Sequence, residues 1–211
     1  MTKLLLIDTE TNGLPKNRFA PISVTDAYPA ILQLSWSLFT LTGEEITLDH
    51  SRDITVALNP SVAWDTGAAA IHGISETDAR SGTLPFDAFT ELAAVMAKTD
   101  IVVAHNLSFD KPVIRAAAYA CGLRTLWPDS LKEFCTMRFS RDLCKLPSQR
   151  PDAFKLPKLN ELHSFLYGHP YDISGNVLHT SKSDVDCLAK CLMMLCQKGH
   201  LVLKNGELVP A

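Results

Sequence analysis

Leu4-Leu5-Leu6-Ile7-Asp8-Thr9-Glu10 is the stretch on which the fold turns. A short apolar run closed at once by polar residues reads as a strand buried on both faces. Side chains alternate along a strand, so Asp8 and Glu10 point the same way. Two carboxylates then sit side by side at the end of a buried strand. Such a pair is costly unless a positive charge lies between them. A hard divalent cation such as magnesium meets that need through carboxylate oxygens. The same residues also read as a turn acid followed by a helix-capping acid, both solvated.

Outward from this strand, Thr11-Asn12-Gly13-Leu14-Pro15 makes a turn, and a loop continues to Pro29. Ala30 to Leu41 alternates as a strand. Thr42-Gly43-Glu44 is a tight connection. Ile46 to Leu58 offers a third strand, interrupted by the polar run Asp49 to Asp53. The chain thus opens as a three-stranded meander. Ala68 to His72 reads as a helical turn ended by Gly73, and Pro85 to Lys98 has helical spacing. Ile101 to Ala104 is a short buried strand. The next helix runs to about Cys121, with Pro112 placing its start near Asp110. Leu156 to Leu166 reads as a helix, followed by a polar loop from His169 to His179. A last helix covers Ser181 to Lys198, with Val185, Leu188, Leu192 and Leu195 as its apolar stripe. Three strands followed by alternating helices and short strands imply a mixed sheet flanked by helices.

The 211 residues, 46% apolar and 20% charged, suit one globular domain spanning 1–211. A net charge of −3 does not mark a strong polyanion binder, so any field that attracts nucleic acid must be local. The segment Lys132 to Lys158 is such a place, with seven basic residues against three acids. A solvated surface loop is the other reading of it. Cys121, Cys135, Cys144, Cys187, Cys191 and Cys196 form no C-x-x-C pair, which argues against a zinc knuckle or a redox motif. The apolar run before Asp8 is too short for a signal peptide. No stretch approaches the roughly 20 apolar residues of a membrane span. These features describe a cytoplasmic protein with reduced thiols and no membrane partner.

Two further acidic sites complete a pattern. Ile101 to Ala104 leads into His105-Asn106-Leu107-Ser108-Phe109-Asp110. The last helix opens with His179-Thr180-Ser181-Lys182-Ser183-Asp184. Asp8-Thr9-Glu10-Thr11, the segment ending in Asp110, and the His179/Asp184 pair occur in that order. Together they resemble the DEDDh (DnaQ-like) family of 3′–5′ exonucleases. Ile71-His72-Gly73-Ile74 and Lys158-Leu159-Asn160-Glu161-Leu162 are similar to further signatures of that family. One departure is Asn12, where the family often has threonine. Another is the long loop from Asn17 to Pro29.

The resemblance implies a ribonuclease H-like fold, a five-stranded mixed sheet with helices on both faces. It implies two divalent ions, Mg²⁺ or Mn²⁺, held by Asp8, Glu10, Asp110 and Asp184, with Asp8 bridging both. His179 becomes the base that takes a proton from the attacking water, a task suited to a near-neutral pKa. Thr9, Thr11, Leu14, Ile71, His72, Asn106 and Phe109 become substrate contacts. The expected substrate is nucleic acid with a free 3′ end, above all single-stranded DNA, and the expected product is a nucleoside 5′-monophosphate. A polymerase partner is compatible with this but not indicated. An RNA-directed exonuclease of the same family stays open, because the sequence does not reveal contacts to a 2′-OH. A non-catalytic nucleic-acid or polymerase-binding module is the contrasting class. Clustered acids argue against it, since they repel phosphates. The His179 spacing likewise disfavours an endonuclease.

Overall fold

The computed structural model describes residues 1–43, 45–150, 153–171 and 180–211. Its elements in chain order are β1 (Thr2–Thr11), β2 (Ile31–Thr42), β3 (Glu45–Thr55), α1 (Thr66–His72), α2 (Glu76–Arg80), α3 (Pro85–Met96), β4 (Ile101–Ala104), α4 (Leu107–Ala120), β5 (Lys132–Cys135), α5 (Thr136–Cys144), α6 (Leu159–Tyr167), α7 (Ser181–Gln197), β6 (Leu201–Lys204) and β7 (Glu207–Pro210). The main sheet has the order β3-β2-β1-β4-β5, and β6-β7 is a separate hairpin. β1 pairs antiparallel with β2 and parallel with β4. That central position explains its unbroken apolar run, because both of its faces are covered.

Leu5 and Ile7 belong to a core shared with α3 and α4, whereas Leu4 and Leu6 belong to a core shared with α5, α6 and α7. Helices therefore lie on both faces of a five-stranded mixed sheet, the ribonuclease H-like architecture. A smaller apolar cluster of Leu32, Leu58 and Ala79 holds down the α1–α2 region.

Three boundaries differ from the sequence reading. β3 runs through Asp49–Asp53 without a break. Leu38 pairs with His50 and Phe39 with Leu48, so Asp49 is the extra residue of a bulge. Its carboxylate accepts hydrogen bonds from Lys3 and Thr40. β3 is an edge strand, and an edge in contact with water does not need apolar alternation. α4 begins at Leu107, not near Asp110, with Pro112 inside it. The proline removes only the bond to the carbonyl of exposed Ser108, in the helix's first turns. α6 begins at Leu159, not Leu156, because Pro157 disfavours helical geometry at Leu156. The basic segment also contains β5 and α5, and three of its cations have partners. Lys132 donates to the Gly206 carbonyl, Arg141 pairs with Asp142, and Lys155 pairs with Glu161.

Candidate metal centre

The C-terminal end of β1 carries Asp8 and Glu10 on the side that faces α7. Asp8 lies opposite Ser35 on β2, and Glu10 lies opposite Gln33. Asp184 sits in the first turns of α7. That helix starts with a capping box, in which the Thr180 hydroxyl accepts from the Ser183 N–H and the Ser183 hydroxyl returns to Thr180. Asp8, Glu10 and Asp184 each bring one carboxylate oxygen to within 4.8 Å of the others, a set that could hold a metal ion.

Asp110 arrives from the opposite face of the sheet. The chain leaves β4 through Asn106, whose φ of 78° is a left-handed conformation that asparagine tolerates better than most residues. α4 then begins at once, and its fourth residue is Asp110. The carboxyl is only 2% exposed and accepts a 2.9 Å hydrogen bond from the Thr9 hydroxyl. Strand alternation explains this arrangement: Asp8 and Glu10 face α7, and Thr9 between them faces α4.

The electrostatics are those of unneutralised like charges. Asp8 is pushed well above the usual carboxylate range, first by burial and then by the charges of Asp110, Asp184 and Glu10. Glu10 is pushed up to about 8 by burial, then by Asp184 and Asp110. Asp110 rises to about 7 through burial, although the hydrogen bond from Thr9 opposes the shift. Acids crowded in this way fit a divalent cation, which removes the repulsion that raises them.

A cavity of about 610 Å³ opens over these groups. Asp8, Thr9, Glu10, Asn106 and Asp184 line it, with Ile71 among its walls. Leu156, Pro157, Lys158, Asn160 and Tyr171 line it as well. These residues were not among the sequence candidates, although the resemblance at Lys158–Leu162 pointed to their neighbourhood. A larger groove, about 950 Å³, has Leu14 and Trp64 in its lining and none of the four carboxylates.

The other predicted residues separate by burial. Leu14 and Ile71 are exposed, at 79% and 59%. Phe109 is half-buried and packs on the α3–α4 core. Thr9 and Thr11 are buried, with their hydroxyls donating to Asp110 and to the Gly13 carbonyl. Their hydroxyls are thus engaged within the protein. His72 points inward as well. It is 3% exposed, its Nδ1 accepts from the Ile74 N–H, and it meets the edge of Trp64. His179 lies outside the described residues.

Two residues that sequence reasoning passed over have clear roles. His105 uses both ring nitrogens, one 2.9 Å from the Pro157 carbonyl and the other 2.9 Å from the Thr136 hydroxyl. Burial lowers its pKa to about 4, so it is a neutral cross-link and not a proton acceptor. Asn12 ties the end of β1 to the segment before α1, donating to the Ala63 carbonyl and accepting from the Asp65 N–H.

No family model matches the chain, and no curated protein matches it. Solved structures do. E. coli Exonuclease I with a dA16 oligonucleotide aligns over 93% of this chain with a TM-score of 0.69 at 15% identity. The zinc-bound Exonuclease I–ssDNA complex from E. coli aligns over 94% with a TM-score of 0.69 at 17% identity. The chain is similar in fold to Exonuclease I. A product-bound Exonuclease I structure gives a TM-score of 0.68 over 93% of the chain at 16% identity. The chain spans only about two fifths of the length of these Exonuclease I chains, 41% in the first two and 43% in the third. Among the described residues no helix is long and apolar enough to cross a membrane.

Proposed function

We propose that residues 1–211 form one DEDDh-type exonuclease domain that hydrolyses phosphodiester bonds at the 3′ end of single-stranded DNA. The products are nucleoside 5′-monophosphates. The observation that carries this reading is the convergence of Asp8, Glu10 and Asp184 over one cavity, with buried Asp110 close enough to raise Asp8 further. Structural carboxylates seldom crowd so closely without a cation, and perturbed acids in a cleft mark functional sites.

Two divalent ions, Mg²⁺ or Mn²⁺, are the proposed cofactors. Asp8, Glu10 and Asp184 hold them, with Asp110 completing the set. When bound, such ions polarise the phosphoryl oxygens and lower the pKa of water. The chain's own residues supply the rest. Thr9 fixes Asp110 by its hydrogen bond. His105, neutral and doubly bonded, braces the cavity wall. The proton of the attacking water is assigned to His179, as the resemblance to the DEDDh pattern implies. Ile71, exposed in the cavity wall, offers apolar surface to a terminal base, a mode that favours unpaired strands, and exposed Leu14 in the neighbouring groove is assigned to the substrate by the resemblance alone. The free thiols agree with a reducing, cytoplasmic setting.

End-labelled single-stranded DNA and RNA, incubated with the protein with and without EDTA, test the proposal. The expected result is EDTA-sensitive release of mononucleotides from the DNA 3′ end. Faster release from RNA reassigns the substrate. Internal cleavage refutes the exonuclease reading, and strand binding without cleavage makes the chain a binding module.

A further inference from the structure

β2 is apolar along most of its length, yet Gln33 and Ser35 lie on its α7-facing side. Ser35 stands between Asp8 on β1 and Asp53 on β3, and directly paired residues of a sheet point the same way. Ser35 is fully buried, as is Ser181, the first residue of α7. The Ser35 hydroxyl lies 2.6 Å from Asp53 Oδ1 and 2.6 Å from Ser181 Oγ. Ser35 has one proton and a carboxylate can only accept, so Ser35 donates to Asp53 and Ser181 donates to Ser35. The Ser181 N–H donates to Gln33 Oε1 at 3.1 Å, and Gln33 Nε2 donates to Asp53 Oδ2 at 3.3 Å. Ser181, Ser35, Asp53 and Gln33 thus form a closed hydrogen-bonded ring.

The ring holds a helix end that would otherwise leave backbone donors without partners. It also sets the helix phase. Asp184 is three residues beyond Ser181, about 4.5 Å further along the axis and about 60° short of a full turn. Fixing Ser181 over Ser35 therefore fixes where Asp184 meets Asp8 and Glu10. Apolar side chains would bury the same interface, but they would leave α7 free to slide or rotate by a fraction of a turn.

We propose that Gln33, Ser35 and Asp53 are positioning residues for the metal centre, acting through Ser181 to set the height and phase of Asp184. The proposal rests on the metal-dependent reading above. Its test does not depend on cleavage. Mn²⁺ binding to the full chain is measured by calorimetry, without nucleic acid, for the parent, Ser35→Ala, Gln33→Leu and Ser37→Ala. Ser37 is the control: it is buried on the same strand face and its hydroxyl lies 2.8 Å from that of Ser51, with no hydrogen bond to α7 among the described residues.

Ser35→Ala and Gln33→Leu should weaken Mn²⁺ about 10- to 100-fold, the usual effect of losing a group that orients a ligand. Ser37→Ala should stay within about twofold of the parent, since it removes a comparable bond elsewhere. In cleavage assays the two ring variants should lose kcat with KM for DNA unchanged. If either ring variant does not fold, Asp53→Ala replaces it, because Asp53 is exposed on the edge strand and its loss opens two sides of the ring. Parent-like Mn²⁺ affinity in the ring variants, or an equal loss in Ser37→Ala, overturns the proposal. A parent that binds Mn²⁺ but cleaves nothing removes the exonuclease reading alone, and the affinity comparison still decides the role of the ring. A parent that binds no Mn²⁺ overturns both.

Discussion

Removing divalent ions should make the protein lose stability as the pH rises above neutral. Glu10 titrates at about 8 in the folded chain and near 4.5 when free of it. Between those values the folded state keeps a proton that the unfolded state has lost. Stability therefore falls with rising pH, by about 1.4 kcal/mol per unit for one such group. Asp8 is displaced in the same direction, and Asp110, at about 7, adds to the loss in the lower part of the range. His72, His105 and His163, which burial keeps neutral, act oppositely, but only below their ordinary value of 6.5. The clean window is thus about pH 6.5 to about pH 8, over which Glu10 alone removes about 2 kcal/mol. For a chain of this size that is a fall of about 4 to 8 °C in Tm. Melting curves by circular dichroism in EDTA across the window measure it, and the same series with excess Mg²⁺ should be nearly flat. A Tm in EDTA that is constant or rises across the window, or an equal slope with and without Mg²⁺, refutes the account of crowded, cation-seeking acids.

Asp8→Asn should abolish cleavage while raising the EDTA melting temperature at about pH 8, because it removes one of the repelling charges. Normal cleavage in Mg²⁺ by that variant would eliminate the metal-dependent reading. Asp184→Asn should also abolish cleavage. Asp186→Asn should leave the rate intact and cost less than about 1 kcal/mol of stability, since its partner is a solvent-accessible lysine. Comparing the two rates checks the placement of the third motif. Leu14→Ala should raise KM for single-stranded DNA with little change in Tm, because the side chain is almost fully exposed. A large drop in Tm would make Leu14 a packing residue.

The sequence disclosed most clearly what depends on local pattern. The apolar run before Asp8, the helix ends at Gly73 and Gly168, and the stripe of α7 all follow from periodicity and local backbone preference. β3 was harder to read, because an edge strand carries no burial signal and its bulge at Asp49 breaks the alternation. The site divides in the same way. Parity along β1 put Asp8 and Glu10 together, and successive helical residues turn by about 100°, so Asp184 and Asp186 point about 200° apart and only Asp184 joins the two. Asp186 has Lys182 and Lys190 as i−4 and i+4 neighbours; it pairs with Lys182, while Lys190 sits over the Tyr171 ring. An i,i+4 rule names two candidates and tertiary packing selects one. Thr9, Thr11 and His72 were expected at the substrate because they lie within or beside the motifs. All three are buried and hydrogen-bonded within the protein, and no local pattern reports burial of a polar side chain. The Gln33–Ser35–Asp53–Ser181 ring joins residues far apart in sequence and has no linear signature.

Asp8 and Asp184 are far apart in sequence, so the order of synthesis matters. At about 5 to 20 residues per second, on the order of ten to thirty seconds separate their emergence from the ribosome. During that interval β1 and β2 can pair, because their contacts are close in sequence. Two crowded acids then wait at a sheet edge for the helix that completes the ligand set. Truncations ending before Ser181 should consequently be inert and bind Mn²⁺ poorly, however well the five-stranded sheet assembles.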